Sequence, residues 1–363
     1  MAELYSSSSN SASELISDYR QVSPTTLYRI LDANFDRARE GLRIIEEWCR
    51  FGLNHAQFTN QIKQWRQTLA HWHWAEIRAA RDTPSDPGVE LTHPQEAIRT
   101  NLQQVLQANF CRVQEALRVL EEYGKLINPD MGATFKRMRY QVYTLESQLG
   151  LYQRQDKLQQ AQTYLVTSPH EHLIDVVEAA LKGGLGIVQY REKVAHDCDR
   201  WPIVQQLRSL CDQYGALFLV NDRIDLALAA NADGVHLGQQ DLPITVARQL
   251  LGDQAIIGRS TTSPDEMQRA IAEGADYIGV GPVYATPTKP DKAAAGLDYV
   301  RHVAAHATLP WFAIGGIDSH NLREVIDAGA QRVAIVRAIM QADNPTLITQ
   351  SLATQLPPLR AKP

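Results

Sequence analysis

Apolar residues in the first half of the chain recur every three or four positions. Phe35, Ala38, Leu42 and Ile45 form one such row, and Phe110, Val113, Leu117 and Leu120 form another. This spacing predicts an amphipathic helix with one buried stripe. The two rows are copies. ANFDRAREGLRIIEE (Ala33–Glu47) and ANFCRVQEALRVLEE (Ala108–Glu122) align without a gap, nine of 15 positions identical and 75 residues apart. A second helical segment follows each copy, IKQWRQTLA (Ile62–Ala70) and FKRMRYQVYTL (Phe135–Leu145), with Trp65-Arg66 against Met138-Arg139. The pattern predicts a duplicated helical hairpin over residues 23–150, four or more helices packed as a bundle. RDTPSDPGVELTHP (Arg81–Pro94), between the copies, has the Pro, Gly and Asp content of a loop.

From about Thr163 the texture changes to short β-rich runs alternating with helical stretches. The predicted strands are 163–168, 186–192, 217–222, 234–238, 255–260, 277–283, 311–317 and 333–339, with helices between them such as Pro264–Glu273 and Ser319–Ala328. Eight βα units in about 190 residues predict a closed (β/α)8 TIM barrel over 160–350, preceded by the all-α N-terminal domain. A doubly wound open sheet is the alternative. It would carry a Gly-rich dinucleotide fingerprint after its first strand, and none follows YLVTS.

The 363 residues and 44% hydrophobic content suffice for two cored domains. A formal charge of -5 argues against a broad nucleic-acid surface. Cysteines at 49, 111, 198 and 211 form no CxxC pair, so neither a zinc ribbon nor a disulfide framework is expected, and free thiols fit a reducing cytoplasm. Cys198 and Cys211 read as packing residues. No apolar run approaches the roughly 20 residues that span a bilayer. Residues 1–22 are Ser-rich, with Glu3, Glu14 and Asp18 before the first Arg, which fits a disordered tail rather than a secretory or transit leader. HWHW (His71–Trp74) places two His at i, i+2, which diverge on a helix, so metal binding is not expected there.

In a barrel of this kind, residues at the C-terminal strand ends face the active site. Those ends supply Gln189, Arg191 and Lys193; Asn221 and Asp222; Asp241, just past strand four; Ser260; Thr286, Thr288 and Lys289, after strand six; Gly315-Gly316; and Val336-Arg337. Cations and carboxylates meeting at one rim are reconciled by a diphosphate bridged by Mg²⁺, with the two Asp on the metal and Lys and Arg on the remaining oxygens. The Gly-Gly turn offers backbone N–H groups to a second phosphate. The plainer reading is that Asp222 and Asp241 cap the helices that follow them, and that GGI is only a tight turn. No nucleophile–base pair has a convincing spacing.

QYREK, NDR, DGVHLGQQD, GRST, GPVYATPTK and FAIGGI stand in the order and spacing of thiamine phosphate synthases, which residues 160–345 resemble. The resemblance implies a transferase of thiamine biosynthesis. It joins 4-amino-5-hydroxymethyl-2-methylpyrimidine diphosphate to a thiazole phosphate, releases diphosphate, yields thiamine phosphate and requires Mg²⁺. It implies that Gln189, Tyr190, Arg191, Glu192, Lys193, Asn221, Ser260 and Lys289 hold the pyrimidine diphosphate, with Arg191, Lys193 and Lys289 acting in catalysis. Thr286, Pro287, Thr288, Gly316, Val336 and Arg337 would line the thiazole phosphate site, and Asp222 and Asp241 would bind Mg²⁺. Two positions depart from the family pattern: Thr262 stands where His is often found, and Arg337 where Ser is. The expected partners are the two small substrates and, in an oligomer, further copies of the chain. No nucleic acid or membrane is expected. A sugar-phosphate isomerase, a thiazole tautomerase relative and a ligand sensor with a dead site are the alternatives.

The helical half resembles a small domain fused to such synthases, on ANFxRxxExLRxxEE and RDTPSDPG. The resemblance implies a kinase acting on hydroxymethylpyrimidine phosphate. The competing reading is a dimerisation or regulatory module, and no GxxxxGK[ST] loop is present. The row Arg37, Glu40, Arg43, Glu47 repeats as Arg112, Glu115, Arg118, Glu122. It is either a solvated ion-paired face or a set of residues that meet about a pseudo-two-fold axis.

Overall fold

The computed structural model describes residues 23–87, 98–99, 101–286 and 293–359. The expected tail over 1–22 and the second half of the Arg81–Pro94 loop, 88–94, lie outside these residues. The chain divides into two compact units, with the boundary between Gln148 and Leu149.

The first unit is helical. Helix α1 (Pro24–Glu47) starts at Ser23, whose Oγ accepts from the Thr26 N–H at 3.1 Å, with Pro24 at the first helical position. It continues into a π-helical turn, Trp48–Gly52, and is followed by α2 (Ala56–Trp72) and α3 (Ala75–Ala79). The second copy opens as α4 (Leu102–Gly124), capped by Asn101, and α5 (Pro129–Gln160) follows. Both predicted stripes are buried: Phe35, Ala38, Leu42 and Ile45 on α1, and Phe110, Val113, Leu117 and Leu120 on α4. The two repeat helices cross at Gly41, where a Cβ would lie 2.7 Å from Val113 Cγ2.

The structure separates the repeated polar residues into two kinds. Asn34 and Asn109 are buried, and each side chain donates to a carbonyl four residues back in its own helix, Ile30 and Val105, both at 2.8 Å. The expected charged row is on the outside: Arg37, Glu40, Arg43, Arg112, Glu115 and Arg118 are exposed. Its members pair along their own helix, Arg43 with Glu47 and Arg118 with Glu122, rather than across a pseudo-dyad. The buried acids are the preceding residues, Glu46 and Glu121. Each meets an arginine of its neighbouring helix, Arg66 and Arg139, the residues that the second-segment alignment had set in register. Arg139 also donates to Tyr143 Oη at 2.9 Å. His73 is buried too, bonded to Asp32 at 2.7 Å and stacked on Phe35.

The second unit is a closed barrel of eight parallel strands in chain order, β8 returning to pair with β1. The strands are β1 (Thr163–Val166), β2 (Ile187–Tyr190), β3 (Leu217–Asn221), β4 (Gly234–Leu237), β5 (Ile256–Thr261), β6 (Tyr277–Val280), β7 (Trp311–Ile314) and β8 (Val333–Ile335). Alternate residues serve two cores. One set, including Val188, Tyr190, Phe218 and Val235, packs outward under the surrounding helices. The other, including Tyr164, Ile187, Leu219, Ile256, Tyr277 and Phe312, fills the inside, with Leu158 and Ala161 packed in the same cluster. Asp233 accepts from the Phe218 N–H and Arg208 at 2.8 Å and from Arg154 at 3.1 Å, tying β3 and β4 to neighbouring helices.

The strands are shorter than predicted for local reasons. Strand β7 stops at Ile314 because Gly315 and Gly316 take φ of +107° and +69°. At Gly315 a Cβ would lie 2.5 Å from Pro282 Cα, so only glycine fits. Strand β8 stops at Ile335. Val336 leaves the extended region and Arg337 opens a four-residue helix, Arg337–Met340, so neither continues the strand as expected. Cys211 is buried as expected, whereas Cys198 is exposed. Among the described residues no helix is long and apolar enough to cross a membrane.

Candidate active site

A cavity of about 380 Å³ opens where the strands end. Gln189 and Arg191 reach it from β2 and its end, Asn221 from β3, Ser260 from β5, Thr286 from the segment after β6, and Gly315 and Gly316 from the turn after β7. Val336 and Arg337 line it past β8. Eight predicted substrate residues therefore share one hollow: Gln189, Arg191, Asn221, Ser260, Thr286, Gly316, Val336 and Arg337. Among the described residues no carboxylate pairs with Arg191 or Arg337. A hollow lined by two guanidinium groups, neither in a described ion pair, is suited to an anion.

The other three members of QYREK do not line the cavity, and Lys193 turns instead to Asp222. Strand parity sends Tyr190 to the outer core, where it is 3% exposed. Glu192 turns its Oε1 back on its own loop, accepting from the Val194 N–H at 2.7 Å and the Ala195 N–H at 3.2 Å. Pro287, Thr288 and Lys289 lie outside the described residues.

The acidic pair converges. The side chains of Asp222 and Asp241 lie close enough for each to shift the other's titration, and Lys193 Nζ lies 3.1 Å from Asp222 Oδ2. Burial works to raise Asp222, but the contact with Asp241 and the Lys193 ammonium hold it below the ordinary carboxylate range. Burial and the same contact raise Asp241. Two carboxylates this close repel each other when both are charged, so the site favours a cation, and Lys193 supplies one beside Asp222. Neither Asp is a helix cap. The helices beyond them (Ile224–Ala229 and Ile244–Leu251) begin at Arg223 and Pro243 without a side-chain cap. Asp241 instead accepts from the Gly238 N–H at 2.6 Å, which holds its own turn. Asp222 sits at φ +59°, a left-handed conformation uncommon outside glycine and asparagine.

The departure at Thr262 is accounted for locally. Its N–H and hydroxyl both reach Glu266 Oε2, at 2.6 and 2.9 Å, so the residue serves the loop rather than the cavity.

Sequence reasoning missed the floor. Tyr164, His236 and Tyr277 stand beneath the cavity, with Tyr164 Oη 2.8 Å from Tyr277 Oη and Tyr277 Oη 2.9 Å from His236 Nδ1. His236 Nε2 lies 2.8 Å from Ser260 Oγ. Burial raises both tyrosine pKa values. The available signal was parity: each falls on the inward register of its strand, in step with Gln189 and Ser260.

Comparison with known proteins places the geometry. The family model described as thiamine monophosphate synthase matches residues 163–339, and that of the ThiD2 family matches residues 29–148. The chain is 65% identical over 330 residues to the thiamine-phosphate synthase of Nostoc sp. (strain PCC 7120 / SAG 25.82 / UTEX 2576), covering 91% of this chain and 94% of that one. It is 64% identical over 337 residues to that of Synechocystis sp. (strain ATCC 27184 / PCC 6803 / Kazusa), covering 93% and 98%. Among solved structures, a thiamine phosphate pyrophosphorylase from Pyrococcus furiosus aligns with a TM-score of 0.50 at 37% identity, over 54% of this chain and 96% of that one. With relatives this similar along nearly their whole length, the chain belongs to the thiamine-phosphate synthase family.

Proposed function

We propose that the barrel condenses 4-amino-5-hydroxymethyl-2-methylpyrimidine diphosphate with a thiazole phosphate to give thiamine phosphate and diphosphate. The observation that carries this reading is the Asp222–Asp241 contact, with Lys193 beside it, at the strand-end face that also bears the Arg191- and Arg337-lined cavity. Family membership supports it independently.

The donor set fits Mg²⁺. Two carboxylates in contact, one of them inclined to hold a proton, make a dication site that lacks only its remaining oxygens. Mg²⁺ characteristically takes one or two carboxylates and completes its shell from phosphate and water. When bound, the metal would offset the charge that builds on the leaving diphosphate.

The chain's own residues do the rest. Arg191 and Lys193, with Lys289, grip diphosphate oxygens. Gln189, Asn221 and Ser260 orient the pyrimidine. Thr286, Pro287, Thr288 and the Gly315–Gly316 turn receive the thiazole phosphate, with Arg337 as its counter-charge. The C–O bond to diphosphate breaks and its electron pair leaves with the diphosphate. The aminopyrimidine ring stabilises the electron-poor carbon, and the thiazole nitrogen closes the new C–N bond. No protein nucleophile is needed. Catalysis consists of alignment and charge stabilisation. The deciding experiment is a coupling assay of the purified chain on the two half-substrates, with and without Mg²⁺. Absence of thiamine phosphate in both arms refutes the assignment. Cytoplasmic location and oligomeric state are checked by fractionation and light scattering.

For the helical unit, the ThiD2 match covers the same residues as the repeat, and this favours the kinase reading over a scaffold. Asp32 is buried there, bonded to His73 and to Arg81 at 2.7 Å, a polar investment that packing alone does not require. Incubating the chain with ATP and the pyrimidine monophosphate tests it. Absence of the diphosphate product returns the dimerisation or regulatory reading.

A further inference from the structure

Five polar side chains from five strands form one hydrogen-bonded series through the barrel interior. Gln189 Nε2 donates to Tyr164 Oη. Tyr164 Oη lies 2.8 Å from Tyr277 Oη, Tyr277 Oη 2.9 Å from His236 Nδ1, and His236 Nε2 2.8 Å from Ser260 Oγ. Within the series each inner member spans two contacts, and a phenol has one O–H to give while an imidazole in its neutral form has one N–H. Burial keeps both phenols protonated.

Direction therefore propagates. Tyr164 accepts from the amide and must donate to Tyr277. Tyr277 must donate to His236 Nδ1, which leaves the imidazole proton on Nε2, directed at Ser260 Oγ. The Ser260 hydroxyl proton is then released toward the cavity that Ser260 lines. At the other end Gln189 Oε1 has no protein partner among the described residues, and Gln189 lines the same cavity. The two ends are obliged to differ. One offers an acceptor and the other a donor, and reversing them requires an amide flip, two hydroxyl rotations and a tautomer change together.

We infer that Tyr164, Tyr277 and His236 are positioning residues that lock Gln189 as acceptor and Ser260 as donor, selecting a ring that carries an amino group at one end and an unprotonated nitrogen at the other. The inference rests on the barrel reading above. A 4-aminopyrimidine has this pattern. The 4-oxo analogue loses the first of these, with a carbonyl in place of the amine, so it meets the Gln189 acceptor with another acceptor.

The test compares 4-amino and 4-oxo 5-hydroxymethyl-2-methylpyrimidine diphosphates as substrates of the full chain. The wild type should prefer the amino compound by at least about 100-fold in kcat/KM, because a hydrogen-bonding site rejects a mismatched partner strongly. Tyr277→Phe breaks the series at its centre while keeping the ring. Its preference should fall at least about tenfold, with KM for the thiazole phosphate and inhibition by inorganic diphosphate unchanged. Tyr164→Phe should do the same, and the double variant should be no worse than either single one, because a series broken once is already broken. Nitrogen-15 spectra of His236 should place its proton on Nε2 in the wild type and give a tautomer mixture in Tyr277→Phe. Retained preference in Tyr277→Phe, additive losses in the double variant, or a wild-type proton on Nδ1 would each overturn the inference. A wild type that makes no thiamine phosphate refutes the barrel reading instead. The His236 tautomer then decides the series by itself.

Discussion

Asp222→Asn separates chemistry from folding in a single substitution. It exchanges one carboxylate oxygen for an amide nitrogen and keeps the shape. Asparagine tolerates φ +59° as well as aspartate does, and the main-chain N–H of Asp222 keeps its 2.9 Å bond to His236 O. The ion pair lost with Lys193 involves an ammonium that is 56% exposed, so it costs under about 1 kcal/mol and moves Tm by only a few degrees. Catalysis is affected far more. Removing one preorganised group that stabilises a leaving group typically raises the barrier by about 3–4 kcal/mol, on the order of 10²–10³ in rate. Asp222 supplies half of the proposed metal carboxylates, so kcat should fall by at least about 100-fold, and further when Mg²⁺ is limiting. Asp222→Ala should lose as much activity and, in addition, about 1–2 kcal/mol of stability from left-handed backbone strain. Thiamine phosphate formation across a Mg²⁺ titration, read beside thermal unfolding, measures both effects. Near-normal turnover of Asp222→Asn at low Mg²⁺ would refute the reasoning. So would activity loss matched by a collapse in Tm, which would make the residue structural.

Three further outcomes are expected. Arg337→Ala removes a cavity-lining cation with no described carboxylate partner, and KM for the thiazole phosphate should rise about 10–100-fold, as for a lost charged hydrogen bond; an equal rise for the pyrimidine diphosphate would reassign the residue. In the helical unit, Glu121→Ala strands the buried Arg139 and should cost about 3–5 kcal/mol. Its exposed neighbour Glu122→Ala should cost under about 0.5 kcal/mol, and equal costs in denaturant melts would contradict the burial argument. Asp233 gives an acid limb. Burial works to raise its pKa, but Arg208, the Phe218 N–H and Arg154 outweigh burial and depress it. Its stabilisation is therefore complete above the unfolded value near about 4 and is lost as pH falls through the folded value. Asp233→Asn should flatten the stability–pH curve below about pH 4, and an unchanged slope would exclude this role.

Much of this is legible in the sequence itself, and the exceptions share a cause. Period and order carried the barrel: eight β-rich runs between helical ones left few other arrangements, and eight of the residues expected to hold substrate line one cavity. Strand lengths were overestimated where backbone conformation decides, at Gly315 and Val336. Motif membership points to Tyr190 and Glu192 as site residues, but period-two parity turns Tyr190 into the outer core. In the helical half the repeated charges drew notice by their spacing, yet the buried acids are Glu46 and Glu121. Their importance depends on arginines arriving from another helix, which no single-helix pattern encodes. The same holds for Tyr164, His236 and Tyr277, unremarkable one by one and meaningful only as neighbours.

The room for those neighbours comes from residues that are barely there. A methyl group at Gly258 would overlap the Tyr277 ring, 2.1 Å from Cζ, and one at Gly279 would crowd His236 at 3.2 Å. At Gly234 it would strike the Ile256 carbonyl oxygen at 1.8 Å. Two adjacent staves, β5 and β6, have thus surrendered bulk so that two large polar rings can stand inside, while Gly234 lets the β4 and β5 backbones approach. The interior cannot be remodelled one position at a time: enlarging a stave evicts a ring, and removing a ring leaves a void that the bare staves cannot fill. Reshaping this enzyme for another heterocycle would mean changing glycine and ring together.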